Sequence, residues 1–141
     1  EQGTGLRMSE VIKEVLGFSE DQICVVSGPN LSLEIASEQP AACVAACTSA
    51  ENAALVAGAA TNSYFITFTN KDVIGTEFGG ILKNLIAVAI GIVNGVGYGQ
   101  NTKASIMTRG LAEISRFAQA FGAKKKTMTP KVVRISGRLL R

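Results

Sequence analysis

A chain of 141 residues can hold one ordinary domain with a sizeable core, and 47% hydrophobic against 18% charged residues places it among globular rather than disordered sequences. It has no histidine, which excludes His-based triads, His proton shuttles and zinc sites that need imidazole. The net charge of +3 is uneven: seven of the fourteen basic residues lie in 124–141, where no acid occurs, and the other seven are outnumbered by eleven acids. Nucleic-acid character is therefore read in the tail alone, not in the body.

Leu6 to Leu16 reads as a short amphipathic helix with Met8, Val11, Ile12, Val15 and Leu16 on one face, stopped by Gly17. Ile23 to Val26 is a brief apolar run ending at Ser27-Gly28-Pro29, which predicts a buried strand entering a turn. A helix over about Leu31 to Glu38 follows, and Pro40 prevents its continuation. Ala41 to Ala46 fits a second strand. Ser49 is a candidate N-cap for a third helix running to about Ala60. Tyr64 to Thr69 alternates aromatic and β-branched residues and predicts a third strand. This order is that of an α/β layer.

From Asp72 onward the pattern is helical, so a boundary is expected near Gly75. If Gly79 to Asn94 is helical, Gly79, Lys83, Ala87, Ile90 and Asn94 share one narrow stripe. Lys83 is the only charge between Phe78 and Asn101. A lone lysine beside a long apolar run either snorkels to water, the plain reading, or serves chemistry, where burial beside apolar helix residues would lower its pKa towards neutrality. The run Leu85 to Val93 is nine residues long, short of the roughly 20 that span a bilayer. Asn101 is expected to cap a last helix from Thr102 to Phe121 with the stripe Ala104, Met107, Leu111, Ile114, Ala118 and Phe121, closed by Gly122.

Other motifs carry weaker signals. Ser27-Gly28-Pro29-Asn30 lies where strand gives way to helix; backbone donors there suit phosphate or a polar substrate, although an ordinary turn has the same composition. Gly95-Val96-Gly97-Tyr98-Gly99 superficially resembles a dinucleotide loop but follows a helix rather than a strand, so it reads as a helix-to-helix connection. Arg109, Glu113 and Arg116 read as a surface ion-pair ladder. Cys24, Cys43 and Cys47 are an odd set without the CxxC spacing of redox or zinc sites, and read as buried free thiols of a reducing cytoplasm. No signal peptide and no metal site are read from the chain.

The segment GGILKNLIAVAIGIVNGVGYGQN closely resembles the signature of NAD(P)-dependent glycerol-3-phosphate dehydrogenase, in its bacterial form. RMSEVI, VVSGPNLSLEIA, FTNKDVIGTEFGG and NTKASIMTRGLAEISRFAQAFGA extend the likeness from about Gly3 to Ala123. The resemblance implies an α/β chain: the C-terminal part of a Rossmann-type nucleotide-binding domain over 1–75, the first helices of an all-helical substrate domain over 76–123, and an atypical basic tail over 124–141. It implies an enzyme that interconverts dihydroxyacetone phosphate and sn-glycerol 3-phosphate with NAD or NADP, feeding glycerophospholipid synthesis. It further implies a cytoplasmic homodimer in the full-length enzyme, with neither nucleic acid nor membrane as partner. By the same likeness Lys83 is the catalytic lysine and Asn84 the adjoining site asparagine, Gly28 and Asn30 face substrate, and Ser32 approaches the cofactor. Ketone reduction needs a proton for the developing alkoxide, and a lysine ammonium suits that task.

The sequence departs from the family at Ile81, where a smaller residue is usual, and at Asn94, where an acid is common. A GxGxxG turn, an upstream active-site lysine, the GLGDL segment and a phosphate-contacting Arg-Asn pair are not found, and KKKTMTPKVVRISGRLLR reads as a reading-frame change or a chimeric end. A fragment that is inactive by itself is therefore expected. The alternatives are another β-hydroxyacid-type dehydrogenase, or a non-catalytic basic module that binds nucleic acid or anionic membrane through the tail.

Overall fold

The computed structural model describes residues 1–128. Three strands, β1 (Val25–Ser27), β2 (Ala41–Ala46) and β3 (Phe65–Asn70), form one sheet in the order β1-β2-β3. β2 and β3 are parallel, in register from Ala41 opposite Phe65 to Ala46 opposite Asn70, whereas β1 runs antiparallel to β2 with Ser27 opposite Val44. β2 has the span read from the sequence. β1 differs: it begins two residues later than expected and, as an edge strand, leaves Val26 exposed rather than buried.

Helix α1 (Met8–Leu16) precedes the sheet and stops at Gly17, which takes a left-handed φ of 70°. Helix α2 (Ser32–Ala36) is shorter than its expected eight residues. Helix α3 (Ala50–Ala60) begins where Ser49 caps it, the Ser49 Oγ accepting the Asn52 amide at 3.2 Å. Its Ala53 and Ala57 are buried, and so are Cys43, Ala45 and Ala46 of β2. Small residues on both surfaces let helix and sheet approach closely without voids.

The chain then forms a helical hairpin. Helix α4 (Val73–Val96) starts well before Gly79, because Asp72 caps it by accepting the Gly75 amide at 2.9 Å. It ends at Gly97, with a left-handed φ of 86°, and α5 (Gln100–Ala120) follows. The cap of α5 is Gly99, without a side-chain bond; Asn101 lies inside the first turn instead of capping it. Ile74, Phe78, Leu82 and Ile86, spaced by four, pack against Ile114, Ala118 and Ala123. Phe78 meets Phe117 edge-on at 5.7 Å and Phe121 at 5.2 Å, while Ile86 lies against Gly110, so the two helices run antiparallel. A short helix, α6 (Lys125–Met128), closes the described residues.

The nine-residue run expected to be too short for a bilayer is embedded in this longer helix. By length and composition alone α4 could cross a membrane, a test that a core helix of a soluble protein also passes. Ile81, Leu85, Val88, Ile92 and Val96 form an exposed apolar stripe along it.

Candidate functional site

Two glycines let the end of β1 and its turn pack closely, one against α4 and the other against β2. A Cβ on Gly80 would lie 2.7 Å from Ser27 Oγ, so α4 rests directly on the end of β1. A Cβ on Gly28 would lie 2.8 Å from the Cys43 Cα and 2.9 Å from the Ala42 carbonyl oxygen, so the turn is pressed onto β2. Close approach is what Gly28 was expected to permit, and here the approaching group is the neighbouring strand. Lys83 and Asn84 sit one turn beyond Gly80, at three and four residues, and therefore flank the face of α4 that meets Ser27.

Lys83 and Asn84 are both exposed, as a lysine reaching for water would be, and not buried against the apolar run. The reason is simple: the face of α4 that carries Lys83, Ala87 and Asn94 is uncovered here, and nothing lies within 4 Å of where a Cβ on Gly79 would be. Asn30 and Ser32 are also exposed, beyond the turn and at the first position of α2. Among the described residues the Ser32 hydroxyl makes no hydrogen bond within the chain, which leaves it free to meet a ligand.

Sequence reasoning missed a polar clamp beside this site. Glu77, on the second turn of α4, accepts from the Ser9 amide at 2.9 Å, the Ser9 hydroxyl at 2.6 Å and Arg7 Nη1 at 2.7 Å. Arg7 also reaches Glu10, Nη2 to Oε1 at 2.8 Å, while its own amide donates to Glu10 Oε2 at 2.8 Å. That backbone bond is the main reason the Glu10 carboxyl titrates below the ordinary glutamate range, with the Arg7 guanidinium adding to it. No local spacing signals a contact between residues 7 and 77, although both fall in motifs singled out by resemblance. Asp72 is a second missed residue: it is buried, and its second oxygen accepts the Lys124 amide at 2.7 Å.

The remaining motifs are structural. Glu113 pairs with Arg116 and, at 4.0 Å, with Arg109, all exposed, as a surface ladder. Cys43 and Cys47 are buried and free, with Cys47 Sγ donating to the Asp21 carbonyl at 3.2 Å, and burial pushes the Cys24 thiol up. Among the described residues no three His, Cys, Asp or Glu side chains stand together as metal ligands would. A cavity of about 340 Å³ opens beside Arg7, Lys13, Thr48, Lys71 and Lys124, but none of Lys83, Asn84, Gly28 or Asn30 lines it.

The architecture is that of an α/β nucleotide-binding layer handing over to a helical domain, the two-part plan of NAD-linked dehydrogenases. Residues 1–53 match the NAD-dependent glycerol-3-phosphate dehydrogenase N-terminus, and residues 72–136 match the C-terminus of the same family. The second match runs past Ala123, where the resemblance ends by eye; the reading of the tail as frame-shifted falls largely on residues 129–141, outside the described residues. The chain is 65% identical over 129 residues to the NAD(P)+ glycerol-3-phosphate dehydrogenase of Leifsonia xyli, covering 92% of this chain and 35% of the relative. It is 55% identical to that of Corynebacterium diphtheriae, covering 92% and 39%. The crystal structure of glycerol-3-phosphate dehydrogenase from Coxiella burnetii superposes with a TM-score of 0.79 at 35% identity, over 86% of this chain and 37% of that one. The chain belongs to the NAD-dependent glycerol-3-phosphate dehydrogenase family. It spans little more than a third of the length of the curated relatives it matches.

Proposed function

We propose that this chain is the central part of a cytoplasmic, homodimeric glycerol-3-phosphate dehydrogenase that interconverts dihydroxyacetone phosphate and sn-glycerol 3-phosphate. The observation that carries the reading is the contact of Gly80 with Ser27, which brings the helix of Lys83 and Asn84 onto the Ser27–Asn30 turn. In this reading residues 1–75 finish the nucleotide-binding domain and 76–123 begin the helical one. Bound NADH or NADPH supplies the hydride to the ketone carbon. The Lys83 ammonium polarises the carbonyl and gives its proton to the alkoxide oxygen; in the reverse direction the neutral amine takes it back. Asn84, Gly28 and Asn30 orient the substrate, and the free Ser32 hydroxyl suits a contact to the cofactor. Lys83 is exposed, so its ammonium is open to a ligand.

The test is to graft residues 1–123 in place of the matching segment of the Leifsonia xyli enzyme and follow NADH oxidation with dihydroxyacetone phosphate. Lys83→Ala should lower kcat by about 10² to 10⁴-fold with NADH affinity unchanged. Lys83→Arg should fail nearly as badly, because guanidinium does not release its proton near neutral pH. The 141-residue chain alone should show no turnover. A folded Lys83→Ala graft with near-normal turnover would return Lys83 to a solvent-facing helix lysine.

A further inference from the structure

We propose that Glu77 is a positioning residue for this site: by gripping the start of α1 it fixes the rotation of α4 about its axis, and so the direction in which Lys83 and Asn84 face the Ser27–Asn30 turn. The inference rests on the reading of Lys83 given above. Three observations carry it.

The Glu77 side chain is only 8% exposed, yet it accepts three hydrogen bonds, all from residues 68 or 70 positions earlier. Taking a carboxylate out of water is costly even when it is paired, and an apolar side chain of similar volume could glue α1 to α4 without that cost. What an apolar contact cannot do is fix orientation. Three directed bonds on one carboxylate, from an amide, a hydroxyl and a guanidinium, permit only one setting of the helix.

The second observation is angular. At about 100° per residue, Glu77 and Gly80 lie about 60° apart around α4, and Lys83 lies about 60° further on. The Glu77 bonds to α1 and the Gly80 contact with Ser27 therefore hold the helix on two adjoining faces. A helix held on both cannot turn without breaking one, and Lys83, about 9 Å along the axis from Glu77, turns with it.

Third, beyond Gly80 the outer face of the helix is open, and its hydrogen bond to the sheet lies before Glu77, from Asn70 Nδ2 to Thr76 Oγ1 at 3.4 Å. α5 packs on Phe78, Leu82 and Ile86, on another side of the helix. Ile81, Leu85, Val88 and Ile92 are all more than half exposed.

The graft described above provides the test. Glu77→Gln keeps the volume but removes the charge and sets an amide NH₂ against at least one of the three donors. It should lower kcat by about 10 to 100-fold in a protein with normal circular dichroism, because displacement near 1 Å can cost about 10²-fold. The dissociation constant for NADH should not move. Ser9→Ala, which removes the hydroxyl's bond to Glu77 and the one it accepts from Arg7 Nη1 at 3.2 Å, should give a smaller loss in the same parameter and serves if Glu77→Gln does not fold. The decisive readout is coupling: in a Lys83→Ala background, Glu77→Gln should cost clearly less in kcat than in the parent, since of the two groups it positions only Asn84 remains. Losses that multiply in the double variant, or a Glu77→Gln and a Ser9→Ala enzyme each with unchanged kcat, would overturn the proposal. Failure of the Lys83 reading is separate, since it shows in Lys83→Ala alone.

Discussion

Gly80 and Ser27 touch: a side chain on the glycine would begin 2.7 Å from the serine hydroxyl oxygen. The contact joins the last residue of the edge strand to the second turn of the long helix, 53 positions later in the chain. It is a close link between the α/β layer and the helix that carries Lys83, and the atoms it involves make the two glycines of this region unequal in what they tolerate.

Gly28→Ala should destabilise the chain by about 1 to 3 kcal/mol, because the new methyl meets the Cys43 Cα and the Ala42 carbonyl, backbone that cannot move without opening the sheet. Gly80→Ala meets a hydroxyl that can rotate away, and it gains about 1 kcal/mol of helix propensity. It should be close to neutral by itself and stabilising in a Ser27→Ala background, where nothing nearer than 3.8 Å remains. Urea midpoints of the four variants give the ranking; a Gly28→Ala chain as stable as the parent would contradict the packing.

Asp72 serves two backbone donors from a buried position, the Gly75 amide inside α4 and the Lys124 amide beyond α5. Asp72→Ala orphans both, and the expected cost is about 1 to 3 kcal/mol. Asp72→Asn should recover only part, since its amide nitrogen faces one of the two N–H groups. Denaturant unfolding should show a lower midpoint with an unchanged slope. A loss within about 0.5 kcal/mol, the range of an ordinary surface substitution, would show that the cap is dispensable.

The depressed titration of Glu10 has a defined sign. A carboxyl whose folded value lies below its ordinary value, 4.5, adds stability above that pH and loses it as pH falls through the folded value. Wild type should therefore exceed Glu10→Gln in melting temperature at pH 6, and the gap should close as the solution is acidified below about 4. The group is partly exposed, so added salt should narrow the gap at pH 6 as well. A gap that stays constant with pH would mean the charge on Glu10 contributes nothing.

Much of this architecture was legible in the residues because its causes are local. The alanine-rich run set β2 at Ala41–Ala46, the Ser49 hydroxyl set the start of α3, and glycines at 97 and 99 broke the two long helices where the sequence suggested. Arg109, Glu113 and Arg116 pair because helical spacing alone makes them neighbours. The signature around Lys83 also named the family from sequence.

Only the tertiary structure decided the rest, and in each case the cause is a partner distant in the chain. The antiparallel setting of β1 depends on which edge of β2 was free, not on the three residues of β1. The early start of α4 depends on a cap that also serves Lys124, and the clamp of Glu77 depends on Arg7 and Ser9 being folded against it. The exposure of Lys83 follows from what does and does not cover α4. Periodicity tells which residues of a helix share a face; what that face meets is fixed only when the chain has brought the other surface there.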